Sequence, residues 1–475
     1  MSVLLPSRRD FLVFSSICSF ASICKGGAIS DISKAALGGQ VTNTDSVFNI
    51  VAAPDSVQLG PQGHQPTAMW CFNGSYPGPS LRVRRGDEVQ VKFINLLPEP
   101  SSIHWHGIRL LNAMDGVPGL TQPPVDPGES FVYKFVCKDA GTFWYHPHLN
   151  SSEQLGRGLI GSLIVEDDTE TEVDHDLIWL LSDLRLDQKG QIHESFGSIH
   201  DQAHAGRLGN VVFINGSLSD SWSVPYGGRI RLRLINGSNA RLFRLRLNGP
   251  SVNQVAIDGH PVPPRVIREA DVLAPGQRID LIFDLHTAEE LEIEDHGNPD
   301  RAYFLAKIGI AKPSIGRGQW YGQNLKPLPA NDIPQFQITE IPRLREIPLV
   351  LSGGAMSRQM SPQSVWQMNG RAPTMGHGPD HFGREPLFSI SLNESVVLKL
   401  INQSAWFHPM HLHGVVFHEL LGSDSLGPAR DTLLLAPGQQ KRVVLKAEFL
   451  GDWMVHCHIL EHQHSGLMGY FRVSA

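Results

Sequence analysis

The stretch from Val91 to Gly107, VKFINLLPEPSSIHWHG, decides the fold. A short β-type run ends on Ile94-Asn95, a Pro-rich turn follows, and His104-Trp105-His106 comes next. Short alternating runs between turn residues read as strands. The strand end recurs as LRLIN, finishing at Asn236, and as LKLIN, finishing at Asn402. Each copy is preceded by an Asn-Gly turn (Asn73-Gly74, Asn215-Gly216, Asn369-Gly370) and followed by a Pro-Gly turn (Pro127-Gly128, Pro275-Gly276, Pro437-Gly438). A further alternating run follows each Pro-Gly: FVYKF, IDLIFDL and KRVVLKA. The Asn-Gly marks lie 142 and then 154 residues apart (215 − 73 and 369 − 215), a domain-sized period rather than that of a solenoid. The sequence therefore predicts an all-β chain of three Greek-key β-sandwich domains.

The predicted domains span 40–168, 169–340 and 341–475, with a Pro-rich linker, KPLPANDIPQF, before the third. The third unit carries an insert: Asn369 to Asn402 is 33 residues, against 22 from Asn73 to Asn95. The extra segment, RAPTMGHGPDHFGRE, is loop by composition.

The 475 residues are too many for one core of ordinary size. A net charge of −7 with no basic run argues against nucleic acid as a partner. Near the start, SRRDFLVF (Ser7 to Phe14) sets Arg8 and Arg9 before an apolar stretch, Phe11 to Ile23, too short to span a bilayer stably. Paired arginines in that position resemble a twin-arginine export signal, so residues 1–28 are read as a leader cleaved after Ala28. The expected location is periplasmic or extracellular. Losing Arg8, Arg9, Lys25 and Asp10 moves the charge from −7 to −9. Cys18 and Cys24 leave with the leader. An oxidising compartment permits a Cys71–Cys137 disulfide, whereas folding before export and the ordinary burial of thiols argue against it.

The histidines obey the repeat. After the Ile-Asn strand, the first unit has HWHG (His104, His106) and the third has HPMHLHG (His408, His411, His413). After the Pro-Gly strand, the first has WYHPH (His146, His148) and the third has HCHILEH (His456, His458, His462). The second unit has no histidine at either place. Ten of the 22 histidines thus fall in four motifs. Residues i and i+2 of a strand share a face, so each His-X-His presents two imidazoles side by side. If the first and third domains pack together, eight imidazoles converge on one interface. One His-X-His alone is weak evidence for metal, whereas four at equivalent places are strong. In His456-Cys457-His458 the cysteine faces the other way, into its own domain, where His408 and His462 can join it. Cys with two His is a blue-copper electron-transfer set. Zinc also takes Cys and His, but it cannot change valence, which leaves the adjoining path without purpose.

With these motifs in order and spacing, nearly all of the chain after the leader resembles the multicopper oxidases of the three-domain, laccase-like bacterial type. The resemblance implies three cupredoxin domains and four copper ions, one type 1, one type 2 and two type 3. It implies Cys457, His408 and His462 as type 1 ligands. His104 and His411 would bind the type 2 ion. His106, His146, His148, His413, His456 and His458 would bind the type 3 pair. Dioxygen would be reduced to water at the three-copper cluster. A small reducing substrate would deliver electrons singly at the exposed edge of His462. Asp115, nine residues beyond His106, matches a family acid that supports proton delivery; the bland reading is a turn Asp before Gly116. Two positions depart from the family. The axial position, five beyond His462, is Leu467, not methionine, which implies a comparatively oxidising blue copper; Met468 should point the other way. The residue after His462, acidic in many relatives, is Gln463.

Other signals are read as background. Met356, Met360, Met368 and Met375, with His377 and His381, suggest cuprous binding, but Met368 belongs to the Asn-Gly strand and the cluster is thin. HESFGSIHDQAH (His193 to His204) is read as an exposed loop, and the role of His464 is open. The favoured function is oxidation of phenols or aromatic amines. Cuprous-ion oxidation is the alternative within the class. A non-enzymatic exported scaffold is the alternative outside it, although such relatives lose copper ligands and this chain keeps them. A copper nitrite reductase is expected to have two such domains and another ligand distribution.

Overall fold

The computed structural model describes residues 40–41, 46–60, 64–167, 169, 171–286, 288–297, 301–312, 316, 318–357, 365–372, 385–422 and 425–475. The leader, Met360, Met375, His377 and His381 lie outside the described residues. Among the described residues strand far outweighs helix, and the strands form six sheets, two from each of three successive segments. In the first segment a four-stranded sheet runs in the order Thr67–Phe72, Val47–Val57, Glu88–Asn95, Ser130–Val136. Its companion runs Gln40–Val41, Ser80–Arg84, Gly161–Glu166, Gly141–His146, His104–His106. Strands distant in sequence pair in parallel at the centre: Val47–Val57 with Glu88–Asn95, His175–Leu184 with Gly228–Asn236, and Arg345–Gly353 with Ser395–Asn402. This is the cupredoxin arrangement, and it bears out the all-β expectation.

The two sequence marks have a physical cause. Asn73, Asn215 and Asn369 adopt φ of 52°, 50° and 50°, and the following glycines 68°, 71° and 69°. Two successive positive φ values are what a tight hairpin turn matched to strand twist requires. Each Asn side chain then accepts from one backbone N–H and donates to one carbonyl of the neighbouring strand: Val51 and Asn49, Leu180 and Ile178, Val350 and Pro348. The strand-ending Asn95, Asn236 and Asn402 are buried, and each donates to two loop carbonyls. Each so fixes the loop that leads toward the first histidine motif or its counterpart.

Alternation in Glu88–Asn95 buries Val89, Val91 and Phe93 completely. Residues of the first and third segments share one continuous apolar cluster, whereas the second packs mainly around its own. The second segment still reaches the interface. A Cβ at Gly276, in its Pro-Gly turn, would lie 2.8 Å from His458 Cδ2 and 3.0 Å from His106 Cε1. Cys71 and Cys137 are free, buried thiols in separate clusters, which settles the open disulfide as absent here. No helix among the described residues is long and apolar enough to cross a membrane.

Candidate metal centre

Antiparallel pairing sets His104 opposite His146 in the first segment, and His411 opposite His456 in the third. The i, i+2 pairs stand side by side, with ring centroids 5.9 Å apart for His104–His106, 5.9 Å for His146–His148 and 5.6 Å for His456–His458. The two segments interleave: His104 stacks on His413 at 3.9 Å and His106 on His411 at 3.8 Å. His456 Nε2 lies 3.1 Å from His413 Nε2 and 3.4 Å from His148 Nε2. All eight imidazoles are buried in one cluster.

Burial holds His106, His146, His148, His413, His456 and His458 well below the usual imidazole range, and His411 below it, with neighbouring imidazoles adding to the effect. Neutral imidazole is the form that binds metal. One nitrogen of most rings is fixed by the protein: His104 Nδ1 donates to the Asp115 carbonyl (2.8 Å), His411 Nδ1 to that of Asp431 (2.9 Å), His146 Nδ1 to that of Pro147 (3.0 Å) and His456 Nδ1 to that of Cys457 (2.9 Å). The nitrogens left over include His104 Nε2, His106 Nδ1, His146 Nε2, His148 Nδ1, His411 Nε2 and both of His458, all buried without a hydrogen-bond partner. Orphaned buried acceptors on rings whose other nitrogen is oriented are what a metal cluster requires. The donor set therefore fits copper.

These pKa directions set an acid response for the copper-free protein. Folded imidazoles held below their unfolded value bind fewer protons than the unfolded chain does, so stability falls as pH drops. The Tm of copper-free protein is expected to fall steadily between about pH 7 and about pH 5. A Tm that stays flat over that interval would contradict the buried, neutral cluster.

Cys457 points to the opposite side of its strand, as alternation requires. Its Sγ lies 3.5 Å from His408 Nδ1 and 3.8 Å from His462 Nδ1, and those nitrogens are 3.2 Å apart. Burial pushes the Cys457 thiol well up, so the thiolate needs a cation beside it. His408 is held through Nε2 by Ser404 Oγ at 2.8 Å. His462 stands on a short helix, Leu460–His464, that begins just after the strand. Leu467 is fully buried in the apolar cluster that contains Cys457, whereas Met468 packs with Val117 and Met454, facing elsewhere.

The expected exposed edge of His462 is corrected. The ring is fully buried, and its Nε2 donates to the His204 carbonyl at 2.6 Å. The loop reading of His193 to His204 holds for 193–198, and His193 and His200 are exposed as expected; it is corrected at Ile199–Ala203, a short helix whose Asp201 and Ala203 are buried. Polar composition foretold the exposed side chains but not that the end of the segment is held by its backbone carbonyls. Met368 is core, whereas Met356 is 90% exposed, so these two thioethers do not converge. His464 is half-buried at the end of its helix.

Asp115 is buried, and its Oδ2 accepts from His413 Nδ1 at 2.8 Å. The sequence reading missed its counterpart. Asp431 supplies its carbonyl to His411, and its Oδ1 reaches His106 Nε2 at 3.1 Å. Each acid thus holds one histidine by its carbonyl and another by its carboxylate: Asp115 the stacked pair His104 and His413, Asp431 the stacked pair His411 and His106. Asp431 lies 18 residues past His413, Asp115 only nine past His106, so spacing could not reveal it. Trp366 was also missed: its buried indole packs at 4.8 Å from His408 and 4.4 Å from His462.

Family models described as multicopper oxidase match residues 55–170 and 355–475. A crystal structure of a multi-copper oxidase from Pseudomonas thermotolerans is 34% identical and superposes with a TM-score of 0.79, covering 90% of this chain and 99% of that one. The multicopper oxidase MmcO of Mycobacterium tuberculosis is 28% identical over 448 residues, 83% of this chain and 81% of the relative. Laccase-2 of Botryotinia fuckeliana is 27% identical over 476 residues, 87% and 80% respectively. The chain belongs to the multicopper oxidase family. It is a copper-dependent oxidoreductase that takes electrons from a reducing substrate and passes them to dioxygen.

Proposed function

We propose that this chain is a laccase-like oxidase that couples four one-electron oxidations of phenols or aromatic amines to the reduction of dioxygen to water. The single observation that carries the reading is the His456-Cys457-His458 segment, whose cysteine belongs to one buried donor set and whose histidines belong to the other. His408, Cys457 and His462 would hold the type 1 copper. His104 and His411 would hold the type 2 ion, and His106, His146, His148, His413, His456 and His458 the type 3 pair. Copper supplies the one-electron steps. The protein holds the imidazoles neutral and fixed, excludes bulk water, and places a carboxylate beside each of the two stacked pairs. Export by the twin-arginine route to the periplasm or outside is part of the same proposal. The experiment is dioxygen uptake by copper-loaded protein with a phenol, an aromatic amine and cuprous ion side by side, after counting copper per chain. A large preference for cuprous ion would overturn the substrate ranking; exposed Met356, a soft donor beside the second segment, is what favours that second reading.

Two variants test the roles of single residues. Asp115→Asn keeps the shape and an amide oxygen that can accept from His413 Nδ1, but it loses the negative charge and a proton-handling group. Dioxygen uptake is expected to fall about 10- to 100-fold with copper content intact; full turnover would refute the role. Leu467→Met offers a thioether at the axial position and is expected to lower the type 1 potential. A redox titration that finds the unaltered protein no higher than the variant would remove Leu467 from that position.

A further inference from the structure

Three consecutive carbonyls of the second segment are tied to the third around the type 1 set. Gln202 O accepts from Trp366 Nε1 at 2.7 Å, Ala203 O from Ala355 N at 2.7 Å, and His204 O from His462 Nε2 at 2.6 Å. Next along, Arg207 N donates to Glu461 Oε2 at 2.9 Å, and Glu461 adjoins His462 in sequence. At the other end, Asp201 is paired with Arg185 at 2.7 Å. The strap is therefore fastened on both sides of the contact, and a reductant cannot touch His462 without breaking several buried hydrogen bonds. Each is worth about 0.5–1.5 kcal/mol net, more where a buried group is left unpaired.

The outer side of the strap is a ring platform. His204 stacks on His200 with centroids 4.3 Å apart and planes within 12°, and it meets Trp406 edge-on at 5.2 Å. His200 has 63% of its side chain exposed, while His204 and Trp406 are half-buried. Trp406 is itself fixed by donating Nε1 to Ala355 O at 3.3 Å. Exposed Ile199 precedes His200, and exposed Met356 follows Ala355. Flat, partly apolar rings with one solvent-facing imidazole suit an aromatic ring bearing a hydroxyl or amine.

We propose that an aromatic reductant docks on His200, His204 and Trp406, and that its electron reaches His462 through the His204 carbonyl hydrogen bond with the strap in place. A phenol bound there loses one electron and its hydroxyl proton, leaving as a phenoxyl radical. The proton goes to solvent at His200, and a cupric ion held by His408, Cys457 and His462 would accept the electron. From the His204 ring the path runs through Cβ and Cα to the carbonyl and then across one hydrogen bond. This inference rests on the phenol-oxidase reading, but it fixes where the substrate binds and assigns the copper-free second segment a part in catalysis.

The test uses full-length, copper-loaded protein and the variants Trp406→Leu and His200→Ala. Binding of 4-nitrophenol, too hard to oxidise to turn over, is measured by equilibrium dialysis, alongside KM and kcat for a readily oxidised phenol and the visible type 1 band. The expected result is a rise of about tenfold in both the nitrophenol dissociation constant and the phenol KM, equivalent to about 1.4 kcal/mol, with the visible band unchanged. Unchanged binding and KM in both variants would overturn the proposal. So would a crystal structure with nitrophenol against His462 Nε2 and the strap displaced. Lack of phenol or amine turnover in the unaltered protein would instead overturn the functional reading; the dialysis measurement needs no turnover and decides the docking site independently.

Discussion

Cys457→Ser is expected to abolish the intense visible band and to lower dioxygen uptake with every reductant at least about 1,000-fold, about 4 kcal/mol of barrier. Cys457 Sγ is within 3.5 and 3.8 Å of the two imidazole nitrogens that complete its set, and no other cysteine shares that set among the described residues. A serine oxygen is a hard, weakly acidic donor that does not replace a thiolate toward a soft redox metal. The same residue links the two donor sets through its peptide bonds to His456 and His458, so its loss removes both the electron store and the short path. Copper content should fall by one ion per chain while the eight-histidine cluster keeps its metal. Retained turnover with a retained band would contradict the arrangement of both sites.

Arg278→Met is expected to cost about 3–5 kcal/mol of stability, read from denaturant unfolding. Arg278 is completely buried where the three segments meet. It donates to both carboxylate oxygens of Asp431 at 2.8 and 2.7 Å, and to the carbonyls of Thr142 (3.1 Å), Gly276 (3.1 Å) and Asp258 (2.8 Å). Burial and the nearby Asp431 already push the Asp258 carboxyl up to about 6. Without the guanidinium, two buried carboxylates face each other with only Arg430 as a neighbouring cation. Since Asp431 also holds His106 and His411, oxidase activity should fall as well. The double variant Arg278→Met, Asp431→Leu removes the uncompensated charge and should regain much of the stability without regaining activity. A single variant that loses less than about 1 kcal/mol would show that the ion pair does not hold the junction.

Much of the site was legible because strand alternation is a local rule. His-X-His pairs share a face whatever the rest of the chain does, and the cysteine between His456 and His458 must point away from them. The observed ring spacings of 4.8–5.9 Å in the four pairs are that rule in three dimensions. The repeat marks were legible for the same reason: Asn-Gly encodes a turn by its own backbone preference, and each of the three copies takes it. Asp431 was not legible, because a pair of strands, Phe417–Leu421 and Ser425–Arg430, separates it from His413, whereas Asp115 follows His106 after a short connection. Trp366 was not, because a tryptophan in a strand announces burial but not which imidazole it packs on.

By itself the sequence determined that this chain folds as repeated sandwiches and that two kinds of donor set meet at one short segment, since both follow from periodicity and residue chemistry along the strand. Only the tertiary structure decided what stands in front of His462. A backbone carbonyl carries no sequence signature, so nothing in HESFGSIHDQAH distinguishes a free loop from a strap whose His204 carbonyl accepts the hydrogen bond of the His462 imidazole.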